Sequence, residues 1–355
     1  MDRCYTIFNG RTVLVTGASG AIGSNLTRRL AELGSEVIAI DDLSASEPWN
    51  APTGTAGIRF VRSDILNETE MVALFESGPQ TVFHLAAFFA NQNSIDFPER
   101  DLMVNGMGTL RMLELSRRFN VQRFVYASSS SVYGDSARRI LDERDPWHLT
   151  SPYQITKRLG EDYCNFFFEY YGLGAVKVRL FNSYGPGDSP GKYRSVIPNL
   201  IYLALRNQQL PITGTGKETR DFTFVDDIVD GLIRIAAFDS ASGRDFDICT
   251  GVETEIKELA EMINQLTGNS SGICYTKQRK WDAQKRRKGS FDLARELVGY
   301  VPRVNLQSGL KRTIEWFSAN WSEIEHTQTS VTHAPENEHD VFVRPANANR
   351  IQPKW

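Results

Sequence analysis

The chain has 355 residues, 41% of them hydrophobic and 23% charged, with four cysteines and a net charge of −3. That length suits two domains, or one large α/β domain with an added lobe, and the composition can bury a sizeable core. The balance of charge offers no overall field for nucleic acid or an anionic membrane. No apolar run spans a bilayer, and widely spaced Cys4, Cys164, Cys249 and Cys274 suggest neither a metal site nor a disulfide framework.

In chain order, MDRCYTIFNGR lacks the apolar core of a signal peptide, which with the free thiols points to a cytoplasmic protein. TVLVT at 12–16 reads as a buried strand, followed by Gly17, Gly20 and Gly23 and a helical stretch, SNLTRRLAELG. EVIAI, closed by Asp41 and Asp42, is a second strand. A glycine-spaced turn between strand and helix presents backbone N–H groups to a pyrophosphate, and an acid ending the next strand accepts from the adenosine ribose hydroxyls. An acid here repels a 2′-phosphate, and DDLSAS holds no Arg or Lys, so the expected cofactor is NAD rather than NADP.

IRFVRSD, TVFHLAA, RFVYASS and GAVKVRLFN are further strand-like runs, alternating with helical segments such as MVNGMGTLRMLELSRRF. The alternation predicts a Rossmann-type doubly wound parallel sheet with right-handed crossovers. His84, in the strand run TVFHLAA, reads as a packed strand residue rather than a catalyst. Beyond about residue 182 glycine and proline become frequent, which predicts a smaller, mixed α/β substrate lobe. The expected division is 1–182 for NAD, with segments near 221–250 returning to it; FTFVDDIVDGLIRIAAF reads as a strand and helix doing so. The lobe would be 183–325, and 326–355, which lacks periodicity, an extended tail.

The stretch YASSSSVYG puts four serines at the end of a core strand, and SPYQITK places Tyr153 and Lys157 four apart on one helical face. A tyrosine with a pKa near 10 is a poor base. A neighbouring ammonium, with the positive nicotinamide, would favour its phenolate and let it take a proton from a sugar hydroxyl.

From residue 11 to about 320 the chain resembles the extended short-chain dehydrogenase/reductases that epimerise, dehydrate or decarboxylate nucleotide sugars. The resemblance rests on VTGASGAIGSNL, FHLAA, YASSSSVYG, SPYQITK, RLFNSYGPG, TRDFTFVDDIVDGL and ELVGYVPRVNLQSGLKRTIEWF. It implies that Gly17, Gly20, Ala21, Ile22 and Gly23 cradle NAD, with Asp41 and Asp42 beside the ribose and Asp64 and Ile65 beside the adenine. Leu85, Ala86 and Ala87 would line the dinucleotide, and Asn105 would steady the neighbouring strand and helix. Ser129 falls at the catalytic Ser or Thr, with Tyr153 and Lys157 completing the set. Ser130 and Ser131 stand where dehydratases carry Asp and Glu and where decarboxylases keep a glutamate. Without those acids, oxidation at C4 followed by reduction remains: 4-epimerisation, closest to the UDP-glucose and UDP-glucuronate 4-epimerase type.

On the substrate side the resemblance implies diphosphate contacts from Asn182, Arg220 and Arg279, and a ribose contact from Asp282. Ser195, Val196 and Ile212 would surround the nucleobase, with Ser94 and Ser130 near the sugar. Arg286 and Arg287 fall, across an apparent one-residue insertion, near a position that gates the sugar. By charge matching, one of them would meet a C6 carboxylate. The family also implies a homodimer packed through helices near 100–119 and 152–171. A dehydratase or decarboxylase drawing acids from elsewhere stays open, as does, more remotely, a non-catalytic NAD- or nucleotide-binding regulator. The basic run KQRKWDAQKRRKG is not expected to bind nucleic acid in a chain of net charge −3.

Overall fold

TVLVT is covered on both faces: Val13 and Val15 enter one apolar cluster and Leu14 another. An unbroken apolar run is what a central parallel strand requires. In the computed structural model, which describes residues 3–134, 149–278 and 285–331, this run is β1 (Thr12–Thr16). It is followed by β2 (Glu36–Asp41), β3 (Ile58–Arg62), β4 (Thr81–His84), β5 (Arg123–Ser129) and β6 (Ala175–Leu180). Next come β7 (Leu210–Thr213), β8 (Asp245–Ile248) and β9 (Ile273–Thr276). Seven of these form one sheet in the order β8-β6-β5-β4-β1-β2-β3, with every neighbouring pair parallel. The order reverses between β1 and β4, so a crevice opens at the carboxyl ends of the strands there. β7 and β9 pair separately.

The crossovers carry α1 (Ala21–Glu32), α2 (Glu68–Phe75), α3 (Asn91–Asp96), α4 (Thr109–Arg118) and α5 (Pro152–Tyr171). Beyond them lie α6 (Val196–Leu205), α7 (Val225–Ala237), α8 (Ile256–Thr267), α9 (Asp292–Val298), α10 (Leu306–Ala319) and α11 (Trp321–Val331). One face of the sheet buries α2, α4 and α5 through residues such as Met71, Leu113 and Phe167. The other buries α1 and α7 through Leu26, Leu30 and Leu232. The lobe helices α6, α8 and α10 add Leu200, Leu259 and Leu310 to that second cluster, so sheet and lobe share one core.

Two expectations change. Thr223–Phe224 pairs with Ser183–Tyr184 instead of rejoining the sheet, because α7 begins at Val225 and leaves only two residues to pair. The strand that returns is β8, bonded to β6. The patternless tail does not begin at 326, since α11 runs on to Val331. Long-range contacts hold that helix: Trp321 stacks on Tyr202 at 5.6 Å, Ile324 is buried, and Glu325 pairs with Arg206 at 2.8 Å. Among the described residues no helix is long and apolar enough to cross a membrane.

Candidate active site

A cleft of about 1600 Å³ lies along the carboxyl ends of β1, β2, β4 and β5 and is closed on the other side by the lobe. At one end the turn after β1 folds tightly on itself. Gly17 has φ +71°, and a Cβ at Gly23 would come within 2.0 Å of the Gly17 carbonyl oxygen. Only glycine permits that turn. Gly20 precedes α1 without a side-chain cap, so the first N–H groups of the helix are open to a ligand, and the buried Ser19 hydroxyl has no partner. Asp41 ties the turn to the next loop. It accepts the Ser19 N–H at 2.8 Å, the Leu43 N–H at 2.9 Å and the Ser46 hydroxyl at 2.8 Å. Gly17, Gly20, Ala21, Ile22, Gly23, Asp41, Asp42, Asp64, Ile65, Leu85, Ala86 and Ala87 all line this part of the cleft. The open helix terminus, the glycine cradle and the orphaned Ser19 hydroxyl fit the pyrophosphate of a dinucleotide. Asn105 stays out of the cleft and braces its wall, accepting the Phe88 N–H at 2.8 Å and donating to the Phe88 carbonyl at 3.1 Å.

At the floor, β5 delivers Ser129 and α5 delivers Tyr153 and Lys157. Gly160 allows the two elements to meet, since a Cβ there would lie 2.2 Å from the Tyr126 hydroxyl. Ser151 caps α5 by accepting the Gln154 N–H at 3.3 Å, and Pro152 occupies the first turn, where its missing N–H costs nothing. Burial pushes the Tyr153 phenol above its ordinary pKa, a Ser129 hydrogen bond draws it back, and the Asp101 charge adds to the rise. Lys157 donates to the Ala127 carbonyl at 2.9 Å, with its nitrogen 5.9 Å from the centre of the Tyr153 ring. Burial lowers its amine to about 8, against the opposing charges of Asp101 and Glu161. The chain by itself therefore leaves Tyr153 protonated, and the expected depression of its pKa does not arise from the groups around it. His84 is locked between Thr16 at 2.8 Å and Thr109 at 3.1 Å. Burial and the Lys157 charge hold it at about 3, neutral and structural.

On the lobe side Asn182, Ser195, Val196, Arg220 and Arg287 line the cleft, as does Ser130 on the floor. Asn182 sits at φ +26° and donates to the Asp221 carbonyl at 2.9 Å. Arg286 turns away to an exposed pair with Glu253 at 2.5 Å, which leaves Arg287 as the one of the two facing the cleft. Two expected contacts lie elsewhere. Ile212 is fully buried in β7, on the core face of the strand. Ser94 is buried and accepts the backbone N–H of Tyr153 at 3.1 Å, so it supports the first turn of α5 and is not part of the cleft wall. Arg279 and Asp282 lie outside the described residues.

Sequence reading missed the loop 186–194. Asp188 lines the cleft, with burial raising its carboxyl to about 7 against the pull of Arg194. Tyr193 donates to Asp96 at 3.0 Å and Arg194 reaches the Ala45 carbonyl, so this loop touches both walls. Glycine and proline marked it as irregular, but nothing in its spacing told which side chains face inward.

The model of the NAD dependent epimerase/dehydratase family matches residues 13–249. The UDP-glucose 4-epimerase of Mycolicibacterium smegmatis is 35% identical over 86% of this chain and 97% of its own. The structure of epimerase Mth375 from Methanothermobacter thermautotrophicus superposes with a TM-score of 0.90 at 47% identity, covering 91% of this chain and 97% of that one. WbmF from Bordetella bronchiseptica, solved with NAD+ and UDP, gives a TM-score of 0.80 at 34% identity over 92% of this chain and 98% of its own.

Proposed function

Because the chain belongs to the NAD-dependent epimerase/dehydratase family and uses NAD, we propose that it is a 4-epimerase of a UDP-hexose or UDP-hexuronate. The observation that carries this reading is the floor of the cleft: Ser129, Tyr153 and Lys157 converge there, and the neighbouring positions 130 and 131 offer hydroxyls instead of carboxylates.

Ser129 would hold the C4 hydroxyl, and Tyr153, as phenolate, would take its proton. Lys157 supplies a fixed positive charge beneath the phenol. NAD, when bound at the glycine turn, supplies the redox partner for C4. Asn182 and Arg220 would grip the diphosphate while the 4-keto sugar turns over, and Tyr153 would then return the proton to the same oxygen. Nothing is lost from the sugar, so no further acid is needed.

Arg287, which lines the cleft, would meet a C6 carboxylate by charge matching, and this supports a hexuronate. Residues 1–182 would then serve NAD and 183–325 the substrate. The enzyme would work in the cytoplasm as a homodimer, covering the exposed Leu102, Met103, Met107, Ile155 and Phe166 on the helices around α4 and α5.

Purified protein incubated separately with UDP-glucose, UDP-glucuronate and UDP-N-acetylglucosamine should give, with one of them, a new product of unchanged mass. A product lighter by water or carbon dioxide would replace this reading with the dehydratase or decarboxylase. Asp188, a buried cleft carboxyl whose pKa burial raises to about 7, would be the first acid to replace in that case.

A further inference from the structure

Beneath the catalytic floor lies a buried charged layer that the reaction as read above does not use. Glu161 stands one turn after Lys157 on α5 and is fully buried. Its carboxylate accepts the Ser128 hydroxyl at 2.6 Å, and accepts Nε and Nη2 of Arg179 at 2.8 Å each. Arg158 reaches it at 3.2 Å. Arg179, on β6, also donates to the Tyr133 hydroxyl at 3.0 Å and to Asp245 on β8 at 2.8 Å. Tyr133, which ends the serine turn, donates to Asp247 at 2.9 Å, and Lys177 pairs with Asp245 at 2.5 Å.

Burying so many charges costs desolvation that apolar packing would avoid, so stability alone is a weak reason for the layer. A two-pronged arginine–carboxylate pair does fix geometry, because both bonds must be made in one orientation. Apart from Arg158, which reaches Glu161 within α5, the bonds of this layer join separate elements: β5 to α5, α5 to β6, β6 to the serine turn, the serine turn to β8, and β6 to β8. The elements so joined include those carrying Ser129, Tyr153 and Lys157.

We propose that Glu161 is a positioning residue for the reaction: through Ser128 and Arg179 it holds the Ser129 strand end against α5, and it stands as a counter-charge to the Lys157 ammonium. This rests on the reading of Ser129, Tyr153 and Lys157 as catalytic. The groups facing Lys157 are Asp101 from the short helix Pro98–Asp101, Glu161, Cys164 and Tyr153 from α5, His84 from β4 and Tyr126 from β5. Of these, Asp101 and Glu161 are the carboxyl groups that favour the ammonium.

Glu161→Gln keeps an acceptor for Ser128 and removes the charge. The direct readout is the titration of Lys157 in the NAD-bound protein, followed by the carbon shift of its ε-methylene in lysine-labelled material and assigned by its loss in Lys157→Arg. The midpoint should fall by about one pH unit. The alkaline limb of kcat should move down with it while KM stays unchanged. An unmoved midpoint overturns the counter-charge role. Should that variant fail to fold, Ser128→Ala leaves every charge in place and cuts the link to β5. It should lower kcat about tenfold without altering KM or the Lys157 midpoint, and Ser128→Thr should restore most of the loss. A kcat equal to wild type in Ser128→Ala overturns the positioning role. The lysine titration needs no sugar. If the wild type turned over none of the three UDP-sugars, the functional reading and the positioning role would fall together, while the counter-charge role of Glu161 was still decided.

Discussion

The two ends of the cleft are built by different means. At the dinucleotide end, seven consecutive residues from Gly17 to Gly23 and one acid, Asp41, shape the site, and the groups offered are mostly backbone N–H. At the substrate end the groups are side chains drawn from separate segments: Asn182 after β6, Ser195 before α6, Arg220 and Arg287 from the lobe. A backbone site tolerates little, because any added atom collides with main chain that cannot move. A site made of side chains can be altered one group at a time. The first suits a cofactor that stays, the second a substrate that must enter, turn over and leave.

The sharpest test of this contrast touches neither end. Tyr153→Phe should cut kcat by about a thousandfold and leave NAD bound and KM little changed, measured by product formation and by cofactor retained through gel filtration. Lys157→Met should follow at about a hundredfold in kcat, yet raise the melting temperature, because burial disfavours that ammonium more than Asp101 and Glu161 favour it. Its titration carries opposite signs for activity and stability. With the amine at about 8 in the folded protein against 10.5 when free, kcat should fall as pH rises past 8. Across that same interval the unfolded chain still binds the proton, so stability from this group should rise, and a melting series over pH checks it.

Gly23→Ala separates the ends directly. With a Cβ only 2.0 Å from the Gly17 carbonyl oxygen, the turn must open, and NAD affinity should drop roughly a hundredfold by calorimetry while UDP affinity holds. Arg220→Ala is its counterpart: KM for the nucleotide sugar should rise roughly tenfold to a hundredfold with NAD affinity intact. The smallest effect is expected at Arg286→Ala, whose exposed pair with Glu253 lies outside the cleft wall; steady-state kinetics should match wild type within about twofold.

By itself the sequence determined whatever depends on local geometry. An apolar run unbroken over five residues demands cover on both faces, glycines spaced by three demand a tight turn before a helix, and a four-residue interval puts Tyr153 and Lys157 on one face of a helix. Fold class and cofactor follow from such short-range constraints, as does the Tyr153–Lys157 spacing from which the catalytic proposal starts; Ser129 joined that proposal by resemblance alone. Tertiary structure alone decided where side chains in irregular segments point. Ser94 turned to the amide of Tyr153 because α3 packs against the first turn of α5. Ile212 went into the core because β7 joins β9 there, and Arg287 faced the cleft while Arg286 found Glu253. The layer around Glu161 was equally unreadable, since its members come from α5, β5, β6, β8 and the serine turn. No periodicity links residues 128, 133, 161, 179, 245 and 247. What brings them together is strand order, and strand order is set by burying the whole sheet at once.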